Sequence, residues 1–207
     1  MDIKSSYNKW AEHYDTDENR TRDLEAKVLR EVLGGLEFSS CLEPGCGTGK
    51  NTEFLITKAD RILCADLSEQ MLSAAVRKIN SGNASFIIAD INQSWDFTSD
   101  KFDLIVFSLV LEHVEDLCHI FRSAAEHTNE HGLVYVGELH PYKQYSGTKA
   151  RFSSDEGEHV LKCFTHNISE YISAAVGSGF EIIKIGEFSD DDRNTIPGIL
   201  NLLFRKK

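Results

Sequence analysis

Three acidic residues, Glu43, Asp66 and Asp90, each follow a short apolar run, and a glycine series, Gly45-Cys46-Gly47-Thr48-Gly49, begins two residues after the first of them. Glycines at that spacing let a chain turn tightly and bring its backbone close to a ligand, because no Cβ intervenes. The spacing is GxGxG, whereas dinucleotide-binding turns favour GxGxxG. A phosphate loop is excluded as well, since Lys50 is followed by Asn51 and not by Ser or Thr. An acid two positions before the first glycine would repel a pyrophosphate and suits a cationic group such as an ammonium. A carboxylate at Asp66 can accept both hydroxyls of a ribose, a feature that dinucleotide enzymes share. Asp90 can accept an amine proton while the adjacent Ile91 packs on an adenine face. Three acids at three successive strand ends, with a glycine turn among them, form a constellation suited to a nucleoside that carries positive charge.

The elements that must position these residues are readable from hydrophobic period. Helical spacing at Leu24, Val28, Val32 and Leu33 is stopped by Gly34-Gly35. Phe38 to Leu42 reads as a buried strand, Asn51 to Lys58 as a helix, and Arg61 to Ala65 as the next strand. Ser68 caps a helix whose apolar face is Met71, Leu72, Ala75, Val76 and Ile79. Further strands are expected at Ala84–Ala89, Phe102–Phe107 and from Leu133 to Val136, with a helix from Asp116 to Thr128 stopped near Gly132. Continuous apolar strands alternating with helices imply a parallel sheet covered on both faces. The C-terminal end differs: a helix at Ser169–Val176 precedes two strands, Phe180–Phe188 and Ile196–Phe204. Their link, SDDDRNT, is too short for a crossover helix, so the pair is expected to be an antiparallel hairpin whose Asp190-Asp191-Asp192 tip faces water. The segment 141–167 fits neither period. It is polar, aromatic and histidine-bearing, as inserted lids and binding loops are.

The chain has 207 residues and a formal net charge of −11, a size suited to one domain, 1–207. Strong acidity argues against nucleic acid as a partner, since such binders carry basic patches. No run approaches the roughly 20 apolar residues of a membrane span, and MDIKSSYNKWAEHYD is not a signal peptide. The five cysteines form no CxxC pair and read as thiols of a reducing cytoplasm. Cys163, His159 and His166 are too loosely spaced for a fixed metal site, so no metal is expected. Oligomeric state leaves no trace in the sequence.

The chain resembles the class I S-adenosylmethionine-dependent methyltransferases. LEPGCGTGKNTEFL resembles their first motif, ADLSEQML the second and FDLIVFSLVLEHVED the fourth. The likeness is to the small-molecule subgroup (methyltransferase type 11, with the ubiquinone–menaquinone C-methyltransferases). It implies an α/β, Rossmann-like doubly wound sheet of seven strands in the order 3-2-1-4-5-7-6, strand 7 antiparallel, with helices on both faces. It further implies that Glu43, Gly45 and Gly47 frame the methionine end of S-adenosylmethionine, that Cys46, a small residue that fits the turn, and Gly49 belong to the same cofactor-binding loop, and that Asp66 holds the ribose. Leu67 and Met71 would then lie near the adenine, Asp90 and Ile91 at its edge and face, and Ser108 beside the sulfonium. YNKWAEHYD is similar to the opening helix of that subgroup, so residues 1–20 are expected to cover the cofactor or substrate, with Tyr14 on the cofactor and Tyr7 toward the substrate. A base would be needed for a hydroxyl or acidic carbon acceptor; His140, just past the fifth strand, and His113 in LEHV are the candidates. Tyr142, Tyr145, Phe152 and His166 are expected to shape the acceptor pocket, for a neutral or cationic small molecule. The (N/D)PP(Y/F) signature of nucleic-acid amine methyltransferases is missing, its place taken by Ser108-Leu109-Val110-Leu111. Two rival readings are a nicotinamide-dependent oxidoreductase and a non-catalytic S-adenosylmethionine-binding partner subunit.

Overall fold

Five segments form the parallel core of the sheet, and four of them are runs of five to seven residues, a strand's length and short for a helix. The computed structural model describes residues 2–154, 157–189 and 196–207. The parallel strands are β1 (Ser40–Pro44), β2 (Arg61–Asp66), β3 (Ala84–Ile88), β4 (Phe102–Ser108) and β5 (Thr128–Leu139), joined by β8 (Phe180–Phe188) and β9 (Ile199–Lys206). They lie in the order β3-β2-β1-β4-β5-β9-β8. Among the described residues, β6 (Arg151–Ser154) and β7 (Gly157–Val160) form a separate antiparallel pair. Numbered within the large sheet alone, its order is 3-2-1-4-5-7-6, as the resemblance implies. β9 runs antiparallel to both β5 and β8.

Side chains alternate between two cores. Ile105, Phe107, Val134 and Val136 face one core with α5 (Leu117–His127) and α7 (Ile168–Gly177). Leu104, Val106 and Tyr135 face the other, against α2 (Arg20–Leu33). Burying each such aliphatic side chain contributes roughly 1.5–3 kcal/mol, so the strand ends are held rigidly. Asp116 caps α5 by accepting from the His119 N–H at 3.1 Å. Asp116→Ala is expected to cost about 1 kcal/mol and to lower Tm by about 2–4 °C in a thermal melt.

Several boundaries move. The expected helix at Asn51–Lys58 is only α3 (Thr52–Leu55), followed by turns in which the Thr57 and Lys58 N–H groups reach back three residues. Gly132 does not stop a helix: the chain enters β5 directly at Thr128, and the β4–β5 register shifts between Phe102 and Leu104. A Cβ at Gly132 would stand 2.7 Å from Thr128 Cγ2, so the irregular strand requires glycine there. Val76 of α4 (Glu69–Lys78) is 54% exposed, not buried; α4 packs on β2 and the edge strand β3. Segment 141–167 contains α6 (Pro141–Tyr145) and the β6–β7 hairpin. The Asp190-Asp191-Asp192 tip lies outside the described residues. Among the described residues no helix is long and apolar enough to cross a membrane.

Candidate functional site

The C-terminal ends of β1, β2 and β4 open onto a cavity of about 500 Å³. The glycine turn follows β1, and the Gly45 and Cys46 N–H groups both donate to the Ala65 carbonyl, at 2.7 and 3.1 Å. Gly45, Gly47 and Gly49 all have positive φ (76°, 55° and 80°), a region costly to residues with a Cβ. At Gly45 the need is also steric, since a Cβ would stand 2.4 Å from Val110 Cγ2. Asp66 fastens the turn from the side: its Oδ2 accepts from the Gly47 N–H and its Oδ1 from the Ser68 N–H, each at 2.8 Å.

The cavity gathers most of the sequence-predicted residues. Gly45, Gly47, Asp66, Leu67, Met71, Asp90, Ile91, Ser108 and His113 line it, and Tyr7 and Tyr14 close it from the N-terminal segment. That segment is α1 (Ile3–Trp10) and the turns after it. It is strapped down by Ser68 Oγ donating to Asn8 Oδ1 at 2.7 Å. Asp15 holds the same segment further along, accepting from Thr48 Oγ1 at 2.6 Å and Lys78 Nζ at 2.7 Å.

Two smaller cavities adjoin. One, about 50 Å³ over the glycine turn, is lined by Glu43, Cys46, Gly45, Gly47, Ser108 and Arg22 among others. Glu43 is not a bare charge there. Its Oε2 accepts from Thr52 Oγ1 at 2.6 Å, and burial pushes its carboxyl up to about 8, so it is mostly protonated at neutral pH. The expected ammonium partner is thus a largely neutral group tying β1 to α3. Gly49 lines none of these cavities; its left-handed turn packs against Ile79 and Ala75. The other cavity, about 200 Å³, lies under segment 141–167, lined by Tyr7, Trp10, Tyr14, Arg22, Glu112, Lys149 and Arg151 among others.

The histidines separate clearly. His113 Nδ1 faces the Lys162 carbonyl at 3.1 Å and must donate to it. Its Nε2 therefore accepts from the Tyr7 hydroxyl at 2.8 Å. Burial holds the Tyr7 phenol well above its ordinary pKa, which agrees with Tyr7 keeping its proton. His140 does not serve the cavity. Its Nδ1 accepts from the Tyr142 N–H at 3.1 Å, capping α6, and its Nε2 donates to Glu187 at 2.9 Å on the outer strand β8. His166 donates through Nε2 to the Val114 carbonyl at 2.7 Å and stacks edge-on with Tyr171, also away from the cavities. Tyr142 and Tyr145 are 49% and 61% exposed and line none of the three cavities; the Tyr145 hydroxyl bonds Asn167. The Phe152 side chain lies outside the described residues. Glu112, His113 and Cys163 bring donor atoms within 4.8 Å of one another. Both His113 nitrogens are engaged in hydrogen bonds, and burial pushes the Cys163 thiol up to about 12.

Four residues that the sequence did not single out shape the site. Arg22 is buried in α2, donating to the Tyr14 and Asp17 carbonyls and stacking over the Tyr14 ring at 4.0 Å, while its Nε has no partner. Leu109 adopts φ +51°, an outlier for a side chain with a Cβ, and its N–H donates to the Gly137 carbonyl at 2.8 Å. Glu138 Oε1 accepts the next two N–H groups, Val110 at 2.9 Å and Leu111 at 2.8 Å. Asn51 Nδ2 bridges Glu25 and Ser108, at 2.9 Å each. The signal for Arg22 and Glu138 was a polar residue at a core position: Arg22 shares its helical face with Glu25, Ala26 and Leu29, and Glu138 ends an apolar strand.

The family model of the methyltransferase domain matches residues 16–185. The malonyl-(acyl-carrier protein) O-methyltransferase of Hamiltonella defensa is 25% identical, over 76% of this chain and 60% of that protein. The chain therefore spans about three fifths of that relative's length. A crystal structure of an S-adenosylmethionine-dependent methyltransferase from Mesorhizobium loti aligns with TM-score 0.75 at 21% identity, over 91% of this chain and 100% of that one. The N-methyltransferase NodS of Bradyrhizobium japonicum, with S-adenosyl-L-homocysteine, aligns with TM-score 0.70 at 19% identity, over 97% and 98%.

Proposed function

The chain belongs to the class I S-adenosylmethionine-dependent methyltransferases, and from that premise we propose that it methylates a small molecule held under segment 141–167, acting as a single domain. One observation carries the reading: Tyr14 and Leu109 line all three cavities. The large cavity suits an adenosine, the small one an amino-acid tail and the third an acceptor, so their meeting point is where a sulfonium would sit. The residues fit such a cofactor. Asp66, Asp90 and Ile91 offer acceptors and an apolar face to the adenosine, and Arg22, with its unpartnered Nε beside the glycine turn, offers a cation to the methionine carboxylate. The cofactor supplies an already activated methyl group, so the work of the chain is alignment and exclusion of water. Leu109 and Tyr14 fix the geometry at the junction, and the α1 segment seals it. In this reading no nucleic acid is bound, and the enzyme works in the cytoplasm.

Isothermal titration tests the proposal. S-adenosylmethionine and S-adenosylhomocysteine should bind one per chain and NADH should not; NADH binding in their place would favour an oxidoreductase. Arg22→Leu is expected to weaken S-adenosylhomocysteine by about tenfold, the worth of one charge-assisted hydrogen bond. An affinity unchanged by that substitution would remove Arg22 from the carboxylate. Binding without turnover of any acceptor would favour the non-catalytic partner reading.

A further inference from the structure

From the donor atoms of Glu112, His113 and Cys163, we propose a zinc site that clasps segment 141–167 to the turn after β4. The ligand atoms lie within 4.8 Å of one another, and they come from two stretches that the fold already ties together. Glu112 and His113 belong to the single 3-10 turn Leu111–His113 behind β4. The Phe164 N–H donates to the Glu112 carbonyl at 2.7 Å, and the Lys162 carbonyl accepts from His113 Nδ1 at 3.1 Å. Cys163 stands between these two bonds, so backbone contacts on either side hold it against the turn. The spacing of Cys163 with His159 and His166 gives no such site, and His166 is committed to the Val114 carbonyl; the fold supplies partners from a distant turn instead.

Two observations independent of that proximity point to a cation. Glu112 is buried, and its Oε2 is sealed from solvent with no hydrogen-bond partner. A carboxylate oxygen in such a place calls for a donor or a positive charge. The second observation is the state of His113. Its Nδ1 carries the proton, so Nε2 keeps a lone pair, which the Tyr7 hydroxyl meets at 2.8 Å. That hydroxyl is near enough to Glu112 and Cys163 for both to raise its pKa, which puts the lone pair on their side. A metal-ligating histidine almost always donates its other ring N–H to a carbonyl, carboxylate or water, and the Lys162 carbonyl fills that place.

One carboxylate oxygen, one imidazole nitrogen and one thiolate sulfur suit Zn2+. Bonds of about 2.0–2.3 Å in a tetrahedron set ligand atoms roughly 3.3–3.8 Å apart, so the donors close by about 1–1.5 Å at most, a shift that side-chain torsions supply. As the metal enters, the Cys163 thiol gives its proton to solvent and its freed electron pair forms the S–Zn bond. Glu112 supplies an oxygen lone pair, and Nε2 exchanges the Tyr7 hydroxyl for the metal. Nothing is oxidised or reduced. The thiolate and the carboxylate balance the charge of the ion, so a neutral unit is buried, and a fourth position is left to water. The metal pins residues 162–164 and thereby fixes the segment that covers the second cavity.

The experiment treats the purified, tag-free chain with a chelator, then titrates it with Zn2+ and with Co2+. One Zn2+ per chain is expected by calorimetry. Co2+ should give the intense visible bands of a tetrahedral site together with a near-ultraviolet thiolate-to-cobalt band. Cys163→Ser should abolish the ultraviolet band, and Cys163→Ser and Glu112→Gln should each weaken Zn2+ by at least about tenfold, since even outer-shell partners of a metal cost that much. Cys118→Ser removes an exposed thiol elsewhere and should bind as the wild type does. Zn2+ should raise the wild-type Tm and slow proteolysis within 141–167, with neither effect in Cys163→Ser. Absence of the thiolate band in the wild type, Zn2+ affinity indifferent to Cys163→Ser, or loss of binding in Cys118→Ser would each overturn the site. The wild-type Co2+ spectrum decides even where a variant fails to fold, and none of these readouts needs S-adenosylmethionine, so the result stands apart from the methyltransferase reading.

Discussion

Asp66→Ala is expected to weaken S-adenosylhomocysteine binding at least 100-fold and to lower Tm, both measurable on one preparation by titration and thermal melt. Asp66 has two tasks. Its two oxygens accept the Gly47 and Ser68 N–H groups, so one side chain fixes the glycine turn and the start of α4 together. It also lines the large cavity, where a ribose would meet it. Burial pushes its pKa up, and the two backbone donors oppose that push by favouring the charged form. Alanine removes the ribose acceptor and strands two largely buried N–H groups at about 1–3 kcal/mol each. It also releases Gly47 from a left-handed conformation that the turn requires. A loss of 100-fold is about 2.8 kcal/mol, within what these effects supply. Asp66→Asn keeps one acceptor oxygen but turns an NH2 toward a backbone N–H, so it should fall between alanine and wild type. An alanine variant that binds within threefold of wild type would show that the cavity does not use Asp66.

What was legible in the sequence is what neighbours along the chain decide. The glycine turn, Asp66 and the cap at Ser68 follow from a strand ending beside residues whose backbone preferences are local. The strand order followed from the resemblance, and the antiparallel C-terminal pair from a link too short to cross the sheet. Side-chain direction at the far strand ends was not legible. His140 stands one residue past β5, as expected, yet its ring points to Glu187, 47 residues later, on an edge strand whose position the local pattern does not fix. Gly132 looked like a helix stop because a glycine after a helical run usually is one; here it serves a strand irregularity instead. Arg22 and Glu138 are illegible for a related reason. Each is a polar residue placed on an apolar period, and its value depends on partners that only the folded chain brings near.

Glu138 gives a large stability effect outside the cavity, and its sign depends on pH. Its carboxyl is pushed up to about 8, from 4.5, chiefly by burial and next by the charge of Glu112, against the pull of the Leu111 and Val110 N–H groups. The unfolded chain gives up this proton near 4.5 and the folded chain keeps it until about 8. The folded state thus binds more protons across that window, and stability must fall as pH rises through it. Glu43, also pushed up to about 8, acts in the same direction. Tm should therefore be higher at pH 5.5 than at pH 8.5, by roughly 5–10 °C for a few kcal/mol of combined linkage. Glu138→Gln keeps an oxygen for the two N–H groups and cannot ionise, so it should flatten the slope and match or exceed wild type at pH 8.5. Glu138→Ala strands both N–H groups at every pH, at roughly 2–4 kcal/mol, and frees the turn that holds Leu109 at its positive φ. Its Tm should drop by about 5–15 °C and its kcat/KM by tenfold or more, since Leu109 lines the junction of the three cavities. A wild-type Tm that rises from pH 5.5 to 8.5, or a glutamine variant with the wild-type slope, would mean that Glu138 is ionised in the fold and that the Leu109 turn is held by a charge.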